Sequence, residues 1–153
     1  SFYQDKVVLL TGVTGFVGKV VLEKMLRSLP QLKKIYVAIN AKEGTNDEYG
    51  RFKKEVKNSQ IFDRLKLQVG YKEFKKAVKE KIVPLAINLS RDDLGLSAAS
   101  RSSLLSSLDV IINCGGSVDF TTRLDISVAI NVSGPLALLA LANNCAKQVS
   151  FCQ

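Results

Sequence analysis

Lys6-Val7-Val8-Leu9-Leu10-Thr11-Gly12-Val13-Thr14-Gly15-Phe16-Val17-Gly18 is the stretch on which the fold turns. Its first five residues are an apolar, β-branched run, which reads as a strand buried on both faces. The next eight hold three glycines in a G-x-x-G-x-x-G spacing. From Val17 the apolar positions Val17, Val20, Val21, Met25 and Leu29 recur at helical intervals, and Pro30 stops them. A strand, a glycine turn and a helix in immediate succession form the context of a phosphate-cradling loop. Gly12 allows the tight turn off the strand, Gly15 lets backbone approach a pyrophosphate, and Gly18 lets the helix pack on the sheet. Thr14, Phe16 and Val17 complete the loop and the first helical turn. The unpaired N–H groups there, with the partial positive charge of the helix end, suit an anionic ligand.

Working outward, the alternation repeats. Ile35–Ile39, Ile82–Asn88, Asp109–Asn113 and Gln148–Cys152 read as further strands, with Pro84 a mild conflict in the third. Ser97–Ser107 and Val128–Cys145 read as helices, the latter interrupted near Gly134-Pro135. Residues 42–81 form a Lys/Glu-rich helical insertion, with helices expected at 47–57 and 72–81. Five strands alternating with helices predict an α/β, doubly wound parallel sheet with helices on both faces, built as one domain over residues 1–153.

The carboxyl ends of these strands supply the other candidate cofactor-binding residues. About twenty residues past the loop, an acid would read the ribose hydroxyl of NAD. Asn40 and Lys42 stand there instead and would not repel a 2′-phosphate, so NADPH is the expected cofactor. Asn88 and Leu89 end the third strand, where an amide can meet an adenine edge. Cys114, Gly115 and Gly116 follow the fourth, where small residues let a ribose lie against backbone. Asn131, near the start of the long helix, can bond a loop or a water.

Composition narrows the classes. The 153 residues are 46% apolar and 24% charged, which excludes a disordered tail, a collagen and a disulfide-framed miniprotein. The longest apolar run, Leu136 to Ala142, falls far short of the roughly 20 residues of a membrane span. The net charge is +8, and residues 33–81, with 14 basic and 7 acidic side chains, carry +7 of it. Such a field favours an anionic partner, but aromatics are not interleaved as nucleic-acid binding requires. With no histidine, a His-based triad or His metal site is excluded, and no metal site is expected. Cys114, Cys145 and Cys152 form no CxxC and read as reduced, buried thiols of a cytoplasmic protein. The chain opens on Ser1 and stops at Gln153 just inside a strand, so a truncated fragment is expected.

Residues 11–28 resemble the opening of the alcohol-forming fatty acyl-CoA reductases, extended short-chain dehydrogenase/reductases with a male-sterility-type NAD(P)-binding domain. Further matches follow in order: Lys33-Lys34-Ile35-Tyr36, Ile61-Phe62-Asp63-Arg64-Leu65, Lys81-Ile82-Val83-Pro84, Leu94-Gly95-Leu96-Ser97, Val118-Asp119-Phe120 and Asn131-Val132-Ser133-Gly134. The resemblance implies a Rossmann-type fold and the N-terminal, cofactor-binding part of an enzyme that reduces long-chain acyl-CoA to a fatty alcohol with NADPH. It allows peroxisomal or endoplasmic reticulum membrane association. It also implies that a catalytic Ser/Thr and Tyr-x-x-x-Lys fall after Gln153, so no catalytic residue is assigned in this chain and no turnover is expected of it alone. Tyr49 and Lys53 have the Tyr-x-x-x-Lys spacing but sit in the basic insertion, away from the expected place. The family pattern has Arg where Asn40 stands, Gly-Asp at Ile87-Asn88, His at Asn113 and Thr at Pro135. Alternatives are a thioester reductase or epimerase of the same fold, and a non-catalytic dinucleotide-binding module.

Overall fold

The strands lie side by side in the order β3 (Ile82–Ala86), β2 (Lys34–Ile39), β1 (Val7–Leu10), β4 (Val110–Ile112) and β5 (Ser150–Cys152), all parallel. The computed structural model describes residues 2–40 and 47–153. Alternation along β1 divides the core. Val8 and Leu10 pack under α1 (Phe16–Ser28), α2 (Glu48–Phe52), α3 (Asp63–Val69) and α4 (Tyr71–Lys81), where Leu22, Phe52, Phe62, Phe74 and Val78 are buried. Val7 and Leu9 pack on the other face under α5 (Ala98–Ser107) and α7 (Gly134–Asn143), with Leu104, Leu108, Leu138 and Leu141. Each such side chain removed from water stabilises by about 1.5–3 kcal/mol. The strand-to-face alternation is that of a doubly wound Rossmann-type sheet.

Several expectations are refined. Pro84 sits opposite Val37 on an edge strand, where a missing N–H is tolerated. The expected 47–57 helix ends its α-helical part at Phe52 and continues as a π-helical turn, Lys53–Lys57. A 3₁₀ turn, Gln60–Phe62, and α3 went unread because each is too short to show periodicity. Their buried Phe62 pairs with Phe74 at 5.6 Å between ring centroids.

The long helix starts earlier than expected, at Leu124. It runs through α6 (Leu124–Val128), a π-helical turn (Ala129–Ser133) and α7. The wider turn falls just before Pro135, which has no N–H for the helical ladder. Among the described residues this 20-residue helix alone is long and apolar enough to cross a membrane by length and composition, although no apolar run of that length is visible in the sequence. Gly134, Pro135, Leu138, Leu141 and Ala142 are buried against the domain.

At the amino end of the sheet Asp109 is buried. Its carboxylate accepts from the Val7 amide at 2.8 Å and pairs with Lys147 at 2.7 Å and Lys6 at 3.4 Å. Burial pushes its pKa up, but the Lys147 and Val7 hydrogen bonds outweigh that and hold it below the ordinary 3.8. A carboxylate depressed on folding stabilises above its unfolded pKa and loses that contribution as pH falls through the folded value. Asp109→Asn is therefore expected to lower stability at pH 7 by about 1.5–3 kcal/mol. It should also flatten the loss of stability below about pH 4. Urea melts of both proteins from pH 2.5 to 7 check this; parallel pH curves would contradict it.

Candidate dinucleotide-binding site

β1 has β2 on one side and β4 on the other, so the strand order reverses between β1 and β4. Ligands of open parallel sheets bind at the carboxyl ends of strands at such a reversal. A cleft of about 250 Å³ opens there, lined from β1 by Thr11, Gly12 and Thr14, from β2 by Ala38 and Asn40, and from β3 by Asn88, Leu89 and Ser90. Gly115 and Gly116 line it after β4, and Ile126 and Ile130 line it from the long helix.

The glycines have separate reasons. Gly12 has φ +71°, and a Cβ there would lie 2.3 Å from the Cys114 carbonyl oxygen. A Cβ on Gly18 would lie 2.2 Å from the Gly12 carbonyl oxygen, so α1 is seated directly on the loop. Gly15 caps α1 in extended backbone with no side-chain cap, and the first turn holds no acid. Its first-turn residues Phe16 and Val17 are exposed, and the first amides of a helix have no partner within it. A Cβ on Gly115 would meet Leu89 Cδ1 at 2.6 Å and Thr11 Oγ1 at 2.9 Å, and one on Gly116 would meet Asn131 Oδ1 at 3.1 Å. Glycine at these positions thus lets the two loops and α1 pack against one another at the base of the cleft.

Thr11, absent from the residues singled out by sequence, ties the two loops together. Fully buried, it donates from Oγ1 to Asn113 Oδ1 and accepts from the Gly115 amide at 2.8 Å. Asn113 Nδ2 is buried with no hydrogen-bond partner, an orphaned donor at the end of β4. Asn131 faces the loop rather than an open site. Its Oδ1 accepts from the Ser117 amide at 2.7 Å and its Nδ2 donates to the Ser117 carbonyl at 2.9 Å. It shapes the Gly115-Gly116 turn. Asn88 Oδ1 accepts from the Ser90 amide at 2.9 Å and the Ser90 hydroxyl at 2.6 Å, so its Nδ2 is what it has left for an adenine edge. Leu89 is half-buried, and its carbonyl oxygen abuts Gly134.

Asn40 is exposed at the end of β2, and Lys42 lies outside the described residues. The cation found beside Asn40 is Arg51, which sequence reasoning missed. Its Nη1 donates to the Asn40 carbonyl while its Nε pairs with Glu55 at 2.8 Å. The two are eleven positions apart, so no sequence period could link them.

The cysteines correct the expectation of three buried thiols. Cys152 is exposed, and Cys114 and Cys145 are half-buried. Burial pushes the Cys114 thiol up, with Cys152 adding to it, and burial also raises Cys145. Tyr49–Lys53 is not the only pair with catalytic spacing. Tyr71 and Lys75 share it, with Lys75 Nζ 4.4 Å from the Tyr71 ring centroid. Neither pair lines the cleft.

Comparison with known proteins supplies the family. The NAD-binding family described as Male sterility protein matches residues 10–153. Fatty acyl-CoA reductase 1 of Gallus gallus is 38% identical over 142 residues, covering 93% of this chain and 26% of its own length. Fatty acyl-CoA reductase 2, chloroplastic, of Arabidopsis thaliana is 37% identical over 155 residues, covering 100% of this chain and 24% of its own. The chain therefore spans about a quarter of the length of these curated relatives. The terminal R domain from the myxalamid PKS-NRPS biosynthetic pathway shares the fold, with TM-score 0.73 at 24% identity over 96% of this chain and 33% of that one. The relatives are reductases, and the family's ligand is a nicotinamide dinucleotide. With nearly its whole length matched, the chain belongs to the Male sterility protein family of NAD-binding domains, as a Rossmann-type domain homologous to fatty acyl-CoA reductases.

Proposed function

We propose that this chain is the NADPH-binding part of a reductase that converts long-chain acyl-CoA to fatty alcohol. The observation that carries the reading is the cradle in which Gly12, Gly18 and Gly115 each leave out a Cβ that would strike backbone or a neighbouring side chain, beneath a helix end without a cap. Gly12, Thr14, Gly15 and the amides of Phe16, Val17 and Gly18 would hold the pyrophosphate. Gly115 and Gly116 would receive a ribose, with Asn131 and Thr11 fixing their loop. Asn88 and Leu89 would border the adenine. The nicotinamide, when bound, supplies the hydride; this chain's part is to bind and orient it.

Preference for the 2′-phosphate rests on Arg51. Its guanidinium is within reach of the Asn40 carbonyl and can exchange that neutral acceptor for a phosphate dianion, where charge-assisted bonds are stronger. Calorimetry with NADPH and NADH is expected to show NADPH bound more tightly. Arg51→Ala should weaken NADPH by about 10–100-fold, the equivalent of one hydrogen bond to a charged group, and leave NADH nearly unchanged. Asn40→Asp should reverse the preference, and Asn40→Arg should strengthen it. Tighter binding of NADH than NADPH by the unaltered protein would overturn the assignment.

A further inference from the structure

We infer that the α3–α4 hairpin is an interfacial docking element for an anionic lipid surface. α3 and α4 meet at Gly70, whose φ of +85° turns the chain sharply and whose missing Cβ faces open space. Around this turn the apolar side chains point outward. Leu67 is 87% exposed, and Val69 and Tyr71 are also exposed, while the residues that anchor the hairpin, Leu65, Phe74 and Val78, are buried. The hairpin is held from beneath and presents an exposed apolar apex.

The charges around this apex are sorted. On α4, Lys75 and Lys79 continue the line that Tyr71 begins at four-residue spacing, and Lys72 and Lys76 run beside it. Glu73 and Glu80 fall on the opposite flank of the exposed surface. Lys75 Nζ rests 4.4 Å from the Tyr71 ring centroid, so the aromatic apex and the lysine stripe are one surface. All four lysines are exposed, and none is in an ion pair among the described residues. Residues 63–81 carry seven basic and three acidic side chains, a net +4.

A few apolar side chains with an aromatic at their edge, collared by lysines, match the bilayer boundary. The apolar groups enter the acyl region, the ring lies at headgroup depth, and the lysines meet lipid phosphates and carboxylates. An acidic protein partner fits less well, because a convex turn with three apolar side chains is far smaller than the roughly 800 Å² per side of a stable protein interface. The chemistry favours a leaflet containing phosphatidylserine or a similar anionic lipid. The inference is independent of nucleotide binding.

Co-sedimentation of the 153-residue protein with vesicles tests it. Vesicles of phosphatidylcholine with 30% phosphatidylserine are expected to bind the protein, and vesicles of phosphatidylcholine alone to bind at least tenfold less. Binding should fall steeply with added sodium chloride. Lys75→Glu with Lys79→Glu should abolish it, and Leu67→Ser with Tyr71→Ser should weaken it at least fivefold. Reversal of Lys24 and Lys54, an equal charge change elsewhere, should leave most of it. Circular dichroism melts keep misfolding apart from loss of docking, since every altered side chain is exposed. The inference fails if the control reversal matters as much as the Lys75 and Lys79 reversal. It fails equally if Leu67 and Tyr71 make no difference, which would indicate a plain polyanion or acidic-protein site, or if neutral and anionic vesicles bind alike.

Discussion

Gly12→Ala is expected to lower stability by roughly 3–5 kcal/mol and to remove dinucleotide binding together with it. Two independent terms add at this position. The left-handed backbone, φ +71°, costs about 1–2 kcal/mol for a residue with a Cβ. The new carbon would also lie 2.3 Å from the carbonyl oxygen and 2.4 Å from the carbonyl carbon of Cys114. Those atoms belong to main chain that cannot retreat without pulling β4 from its pairing with β1. For a protein of this size the melting temperature should fall by roughly 6–20 °C. A thermal melt within 2 °C of the unaltered protein, with the same NADPH affinity, would show that the loop does not have this shape.

Gly15→Val is expected to behave in the opposite way, with the fold retained and affinity lost. Gly15 is exposed, its backbone at φ −81° and ψ 173° is open to any residue, and a Cβ would meet only the Gly12 carbonyl oxygen, at 3.3 Å. Exchanging a glycine cap for valine should cost at most about 1 kcal/mol of stability. The added methyl groups would occupy the approach to the first amides of α1, where a pyrophosphate must come close. NADPH affinity should therefore fall at least a hundredfold while the circular dichroism spectrum stays the same. Superimposable NADPH titrations of the two folded proteins would sink the phosphate-cradle reading. The two substitutions, three residues apart, thus separate strain on the fold from obstruction of the ligand.

What the sequence disclosed follows from how local each signal is. The Lys6–Leu10 run, the three glycines and the Val17–Met25 spacing are contiguous and specify strand, turn and helix within about twenty residues, so β1, the loop and α1 were legible in full. The strands on either side were legible because both faces of the sheet are covered and their residues are apolar throughout. The short helices between Gln60 and Val69 were not, since one or two turns do not establish a period. The same distinction holds in the cleft. Gly12, Gly115 and Asn88 could be named because strand ends are recognisable. Arg51 could not, because its place beside Asn40 depends on how α2 packs beside β2. Thr11 was visible as a residue but its role was not, since both of its partners come from the segment that follows β4, about a hundred positions later. Asn131 reads from sequence as able to bond a loop or a water, and the fold identifies that loop by closing its amide on the Ser117 backbone.

The pairing of β1 with β4 also orders events during synthesis. When β1, α1 and β2 have left the ribosome, the phosphate loop has its glycines but no floor, because the Cys114 and Gly115 backbone that Gly12 and Thr11 touch lies about 75 residues beyond Ile39. Contacts this distant in sequence form late and slowly. Until they form, one edge of β1 stays bare, and a nascent chain stalled before Val110 presents that edge to other strands. A ligand that binds only the finished cleft stabilises the finished state and nothing earlier. The dinucleotide can therefore lock the domain once β4 is in place, but it cannot shelter the growing chain.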